Sequence, residues 1–209
     1  MTPPGPRLGI LISGRGSNML ALLDAIAGGG VPATPAVVFS NDPAAPGLAL
    51  ASRRDVPIAA IDHRAYRGDR SAYDAAVARV LAVHDVDLVA CAGYMRIMTD
   101  AFVEAWRGRM LNIHPSLLPL FKGLKTHARA LEAGVAVHGC TVHEVVPEVD
   151  GGRILGQAAV PVIAGDTAEG LAARVLRQEH RLYAAALAAF VADAAAARRH
   201  PIALLDPTP

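Results

Sequence analysis

The chain has 209 residues, with 20 Lys and Arg against 19 Asp and Glu; the formal charge of +1 gives no basic excess for nucleic acid or an anionic membrane. Hydrophobic residues make up 53% and aromatic residues only 4%, which predicts a core of Ala, Val, Leu and Ile. The longest apolar stretch, residues 183–197, is broken by Asp193 and falls short of the roughly 20 residues of a membrane span, and the amino-terminal apolar run is too short for a signal peptide.

Residues 8–13 form an apolar run that ends in a Gly-rich turn, and 18–27 follow with helical spacing. Residues 36–40 read as a second strand leading to a helix over 46–54, and 57–61 as a third strand before a helix over 71–84. Residues 87–92 and 110–114 supply a fourth and a fifth strand. Runs that are apolar throughout and separated by helices predict parallel strands buried on both faces. This is the α/β pattern of a doubly wound, Rossmann-like sheet. Beyond residue 114 the pattern changes. PSLLPLFKGLKTH reads as an ordered loop, and 126–133 as a short helix closed by Gly134. Residues 137–145 and 153–160 read as an antiparallel hairpin around Asp150, Gly151 and Gly152. A long helix over 167–192 and a loosely held tail over 193–209 complete a single domain with its core over about 8–192. Cys91 and Cys140 lie in apolar runs, as suits reduced thiols of a cytoplasmic protein.

The turn Ser13-Gly14-Arg15-Gly16-Ser17-Asn18 joins the first strand to the first helix. A tight turn with an N-cap needs only one of these glycines and one of Ser17 and Asn18. Both glycines with both polar residues favour an anion cradle, in which the backbone and free helix-start amides face a phosphate. A dinucleotide fingerprint fails at Met19, where a third glycine belongs, and no P-loop is present. In Asn112-Ile113-His114 the period of two puts the amide and the imidazole on one face of a strand end, where open α/β sheets place ligands. The pair suits stabilisation of an oxyanion with movement of a proton, although a satisfied polar strand end reads the same way. A hairpin turn is sufficient to explain Asp150 before two glycines; the sharper reading is a carboxylate that reaches back to His114, raising its pKa and fixing its orientation. His138 and His143 face opposite sides of one strand and make a poor metal pair; His63, His84 and His200 have no evident partners. With no H-E-x-x-H or C-x-x-C, no metal site is expected.

The string NIHPSLLP at 112–119, with D-G-G at 150–152, resembles the formyl-folate transferase and hydrolase family. SGRGSN and the pair Glu179-His180 narrow the resemblance to the branch that formylates glycinamide ribonucleotide in purine biosynthesis. The resemblance covers residues 8–191. It implies a formyltransferase fold, 10-formyltetrahydrofolate as co-substrate without a metal, and small-molecule partners rather than nucleic acid or membrane, in a cytoplasmic monomer or homodimer. Carried over by position, it implies a catalytic trio of Asn112, His114 and Asp150. Gly16, Ser17, Asn18 and Glu179 would hold the ribonucleotide; Arg70, Met95, Arg96, Ile97, Met98 and Asn112 would hold the folate. Leu176 departs from the pattern, standing where some members carry a polar residue near the phosphate. Relatives acting on tRNA resemble longer proteins with a basic extra domain, and hydrolases carry an amino-terminal domain for which there is little room. The alternatives kept are a formyl-folate hydrolase and a non-catalytic nucleotide- or folate-binding protein on the same fold.

Overall fold

The computed structural model describes residues 5–205. Five strands come first: β1 (Arg7–Ile12), β2 (Thr34–Ser40), β3 (Ile58–Ala60), β4 (Leu88–Cys91) and β5 (Met110–His114). Then follow β6 (Val137–Glu144), β7 (Ile154–Pro161) and β8 (Ile202–Leu205). They form one sheet in the order β3-β2-β1-β4-β5-β6-β7-β8. The first five strands run parallel, β6 runs antiparallel to both neighbours, and β8 is parallel to β7. The helices are α1 (Ser17–Ala27), α2 (Pro46–Ser52), α3 (Arg70–Val83), α4 (Asp100–Ala105), α5 (Thr126–Glu132), α6 (Ala168–Ala192) and α7 (Ala194–Arg199), with a 3₁₀ turn over His63–Tyr66.

Alternation along each strand feeds two cores. Ile10, Ile12, Ala90, Leu111 and Ile113 face one side, where α1 and α6 cover them with Leu22, Leu171, Val175 and Leu182. Leu11, Val37, Phe39, Val89 and Met110 face the other, beneath Tyr73 and Val77 of α3 and Phe102 of α4. Both faces are buried, so the parallel strands carry few polar side chains except at their ends. From β1 the chain moves outward to β2 and β3, then returns across β1 to β4 and β5. The order reverses there, and the carboxyl ends of β1 and β4 border the crevice in which such sheets bind ligands.

The expected doubly wound sheet, carboxyl-terminal hairpin and long helix are all present. Differences lie in short elements. Asp100–Ala105 is a single short helix, with the Thr99 hydroxyl accepting from Phe102 N–H at 3.3 Å; six residues are too few to show a period. The tail is more ordered than its composition suggests. α7 follows α6 directly, with Asp193 accepting from Ala196 N–H at 2.9 Å, and Ile202–Leu205 pairs with β7 as a half-buried edge strand. The remainder of that tail, 206–209, lies outside the described residues. Among the described residues, no helix is long and apolar enough to cross a membrane.

α6 is fastened to the sheet at β7, where Arg174 donates to the Pro161 carbonyl at 3.0 Å, and again at its centre. The buried Tyr183 hydroxyl stands 3.1 Å from the Cys91 carbonyl and 3.2 Å from that of Leu111, bridging β4 and β5 just below the crevice. Tyr183→Phe keeps the ring and removes the donor, and should lower stability by about 1–2 kcal/mol in urea unfolding. An unchanged midpoint would show that these carbonyls do not depend on it.

Candidate active site

Three strand ends converge at the crevice. After β1, Gly16 caps α1 with φ 75°, a left-handed conformation that favours glycine. α2 packs against this loop through Gly47, whose N–H donates to the Gly14 carbonyl at 3.0 Å. A Cβ on Gly47 would lie 2.9 Å from the Gly14 carbonyl oxygen as well as 2.5 Å from Ile12 Cδ1, and the backbone oxygen cannot swing aside, so glycine suits the approach. Asn18, in the first turn of α1, points inward. Its Nδ2 donates to Glu179 Oε2 of α6 at 2.6 Å, and its Oδ1 is buried without a partner. Ser17, Asn18 and Glu179, 162 residues apart at the extremes by number, are thus brought to one place, and Leu176 sits half-buried one turn before Glu179.

β5 supplies Asn112 and His114, which share a face as their spacing requires. β6 lies against them with Asn112 opposite His143 and His114 opposite Thr141. His143 Nδ1 donates to the Glu144 carbonyl at 2.8 Å, leaving Nε2 to accept from Asn112 Nδ2 at 3.1 Å. Burial lowers the pKa of this imidazole, in keeping with a neutral ring. Asp150 arrives from the loop between β6 and β7 with φ 50°. Its Oδ2 accepts from Gly123 N–H at 2.8 Å and lies 3.4 Å from His114 Nδ1; its Oδ1 lies 3.7 Å from His143 Nε2. His114 Nε2 faces the Phe121 carbonyl at 3.1 Å, so both nitrogens of this buried ring meet acceptors. Asp150 is no tight hairpin corner: its carboxylate does reach His114. Gly152 is fixed by crowding, since a Cβ there would lie 1.7 Å from the Glu144 carbonyl oxygen.

Beside these groups opens a cavity of about 580 Å³, walled by residues 93–98, 123–127 and 145–150. Met95 and Ile97 expose 69% and 63% of their surface at its rim, joined by Leu124 and Val149. Arg96 stands 5.8 Å over the Tyr73 ring with its Nε buried and unpaired, and His127 lines the wall with Nδ1 likewise unpaired. An apolar cavity with a few convergent polar groups is the form of a small-molecule site. Met95, Arg96, Ile97, Met98 and Asn112 all lie on this wall; Arg70, exposed at the start of α3, does not. Glu179 and the 16–18 loop form a separate group outside it.

His143, His127 and Gly47 escaped the sequence reading. Pairing β5 against an antiparallel 137–145 would have set His143 opposite Asn112; nothing local marks the other two. His138 does face away from His143, packing edge-on to Phe121 and His127, and burial pulls its pKa down to about 4. His63 and His84 are not partnerless: Nδ1 of each lies 2.9 Å from a backbone carbonyl, of Asn41 and Val80 respectively. Burial pushes the Cys91 thiol up to about 12 and raises that of Cys140, so neither is a ready nucleophile.

The chain matches the formyl transferase family over residues 6–187 and belongs to it. Within that family, the phosphoribosylglycinamide formyltransferase of Escherichia coli strain K12 is 44% identical over 174 residues, covering 83% of this chain and 82% of that protein. The human trifunctional purine biosynthetic protein adenosine-3 is 48% identical over 181 residues; the match covers 87% of this chain but spans only 18% of that longer relative. Glycinamide ribonucleotide transformylase 1 from Symbiobacterium toebii superposes with a TM-score of 0.88 at 48% identity, covering 91% of this chain and 90% of that one. A formyltetrahydrofolate deformylase from Pseudomonas syringae pv. tomato is 27% identical with a TM-score of 0.83, and the match spans 63% of its chain. The resemblance carried by NIHPSLLP and D-G-G is borne out.

The buried contact between Glu179 and Asn18 offers a test of its own. Burial raises its carboxyl above the ordinary 4.5, against a smaller lowering by Asn18. A carboxyl raised in the folded state contributes stability that is complete below the unfolded value and lost as pH climbs through the raised one. Glu179→Gln should therefore stabilise the ligand-free protein at pH 7.5, with the gain shrinking as pH approaches 4.5. Urea unfolding at several pH values measures it, and a gain independent of pH would contradict the assignment.

Proposed function

We propose that the protein transfers the formyl group of 10-formyltetrahydrofolate to the amine of glycinamide ribonucleotide. The observation that carries this reading is the convergence of Asn112, His114 and Asp150 on one wall of the large cavity, beside but outside the Asn18–Glu179 pair. The cavity suits the folate: its apolar rim would cover a flat ring system, and the half-buried Arg96 and His127 offer unpaired nitrogens to polar ring edges. The 16–18 loop would take the phosphate on its helix-start amides, and Glu179 the ribose hydroxyls.

When bound, the folate supplies an electrophilic formyl carbon. The substrate amine forms a C–N bond to it and negative charge gathers on the formyl oxygen. Asn112 Nδ2 keeps one N–H beyond the bond to His143, and that N–H would donate to the oxyanion. His114, as an imidazolium, would add a second donor, exchanging an existing acceptor for the substrate oxygen. Asp150 compensates the imidazolium charge from 3.4 Å and holds the ring's orientation. Collapse breaks the bond to the folate nitrogen, and a proton from the amine must reach that nitrogen, through His114 or a water beside it. On this reading the protein works on small molecules, as a monomer or homodimer of the cytoplasm.

Purified protein given 10-formyltetrahydrofolate, with and without glycinamide ribonucleotide, tests the assignment by mass spectrometry. Formylated ribonucleotide with matching tetrahydrofolate is the expected outcome. Formate release without the ribonucleotide would replace it with a hydrolase, and saturable binding without turnover with a binding protein. His114→Ala and Asp150→Ala should each lower kcat by roughly 10²–10³-fold, the usual scale for losing an oxyanion donor or its support. Ribonucleotide affinity should stay within about threefold, since its half-site lies elsewhere. Near-full turnover in either variant would remove that residue from the mechanism.

A further inference from the structure

Residues 93–98 wall the cavity with no regular structure of their own, Gly93 having φ 80°. At the far end of this segment, Thr99 N–H donates to the buried Asp74 Oδ2 at 2.6 Å. At the near end two bonds go to a single residue. Ser13 N–H donates to the Gly93 carbonyl at 3.1 Å, and Met95 N–H donates to Ser13 Oγ at 2.7 Å. A hydroxyl has one proton to give. Here Ser13 gives it to Asn41 Oδ1 at the end of β2, which leaves an oxygen lone pair for Met95. Asn41 is itself fixed, its carbonyl accepting from His63 N–H at 3.2 Å. Ser13 also opens the glycine loop of the nucleotide half-site. A network running His63, Asn41, Ser13, Met95 therefore joins the glycine loop to the cavity wall without touching Asn112, His114 or Asp150.

We propose that Ser13 is a positioning residue whose hydroxyl sets the 93–98 wall and thereby folate affinity. The identity of the ligand rests on the function proposed above; the anchor rests on the hydrogen bonds alone. Tyr94 and Met98 pack on the core from this segment, but Met95 and Ile97 are too exposed to be held that way. Among the described residues, the backbone of 93–95 is tied through Ser13, by the Gly93 carbonyl and the Met95 N–H.

Ser13→Ala removes the hydroxyl and little volume, and two readouts separate the anchor from the ligand. In ligand-free protein, amide exchange at residues 94–97 should accelerate roughly three- to tenfold, the range expected for losing one hydrogen bond. By calorimetry, the Kd for tetrahydrofolate should rise by a similar factor while that for glycinamide ribonucleotide stays within twofold. Ser13→Thr, which keeps the hydroxyl, should restore both. Unchanged exchange would overturn the anchor, and a parallel rise in both Kd values would reduce Ser13 to general scaffolding. Accelerated exchange with a wild-type protein that binds no tetrahydrofolate would overturn the folate assignment instead.

Discussion

The Asp150 carboxylate is the contact on which the candidate site depends. It accepts from Gly123 N–H at 2.8 Å and stands within 3.4 Å of His114 and 3.7 Å of His143. One side chain thus ties the loop after β5, the end of β5 itself and the connection from β6 to β7. Asp150 holds φ 50° to do so, a conformation costing a β-carbon-bearing residue about 1 kcal/mol. Glycine would relieve that cost and Gly151 and Gly152 stand next to it, but glycine carries no carboxylate. The strain is local, and the charge it places is shared by two imidazoles. Lys122 and Glu148, 2.7 Å apart, clasp the same two loops from the solvent side, where an exposed ion pair contributes little.

The change from parallel to antiparallel pairing at β5 is what makes the site compact. A parallel neighbour would be reached only through a crossover helix, with its carboxyl-end loop leaving in the same direction as that of β5. An antiparallel β6 returns past His114 and delivers His143 opposite Asn112, then sends its loop back over the crevice with Asp150. Register does this work. A slip of one residue would turn His143 away and put Val142 against Asn112.

These features divide by how far their causes reach along the chain. Apolar runs and glycine turns are local, so the strands, α1, α3 and α6 were legible, as was the pairing of Asn112 with His114 by period two. SGRGSN and NIHPSLLP carried the site because each is contiguous. His143 was legible only to someone who had already fixed the β5–β6 register, and Gly47 only to someone who knew that α2 packs on the Gly14 carbonyl. Ile202–Leu205 reads as tail because four residues between prolines are too short to declare themselves, and an exposed edge of β7 supplies the missing reason. Arg70, which position in a family pattern assigned to the folate, stands apart from the other residues so assigned: it is exposed at the start of α3, outside the cavity wall.

Four imidazoles lie in and beside the candidate site, two of them within 3.7 Å of the Asp150 carboxylate, and their environments differ. Burial lowers the pKa of His127, His138 and His143, and a charge on His114 lowers each of them further. A second proton in the group therefore meets both desolvation and repulsion. His143 already spends its one N–H on the Glu144 carbonyl and its lone pair on Asn112, which suits a neutral orienting ring. His138 sits in the core against Phe121 and His127. His114 has an acceptor at both nitrogens, the carboxylate at 3.4 Å and the Phe121 carbonyl at 3.1 Å. His143 Nε2, in contrast, meets Asn112 at 3.1 Å and the carboxylate only at 3.7 Å. His114 is thus the imidazole that stands nearest the carboxylate, beside Asn112 on the end of β5. Glu179 follows the same logic with opposite sign: burial raises its carboxyl, so ionising it against α1 costs the fold stability that the Asn18 bond only partly offsets.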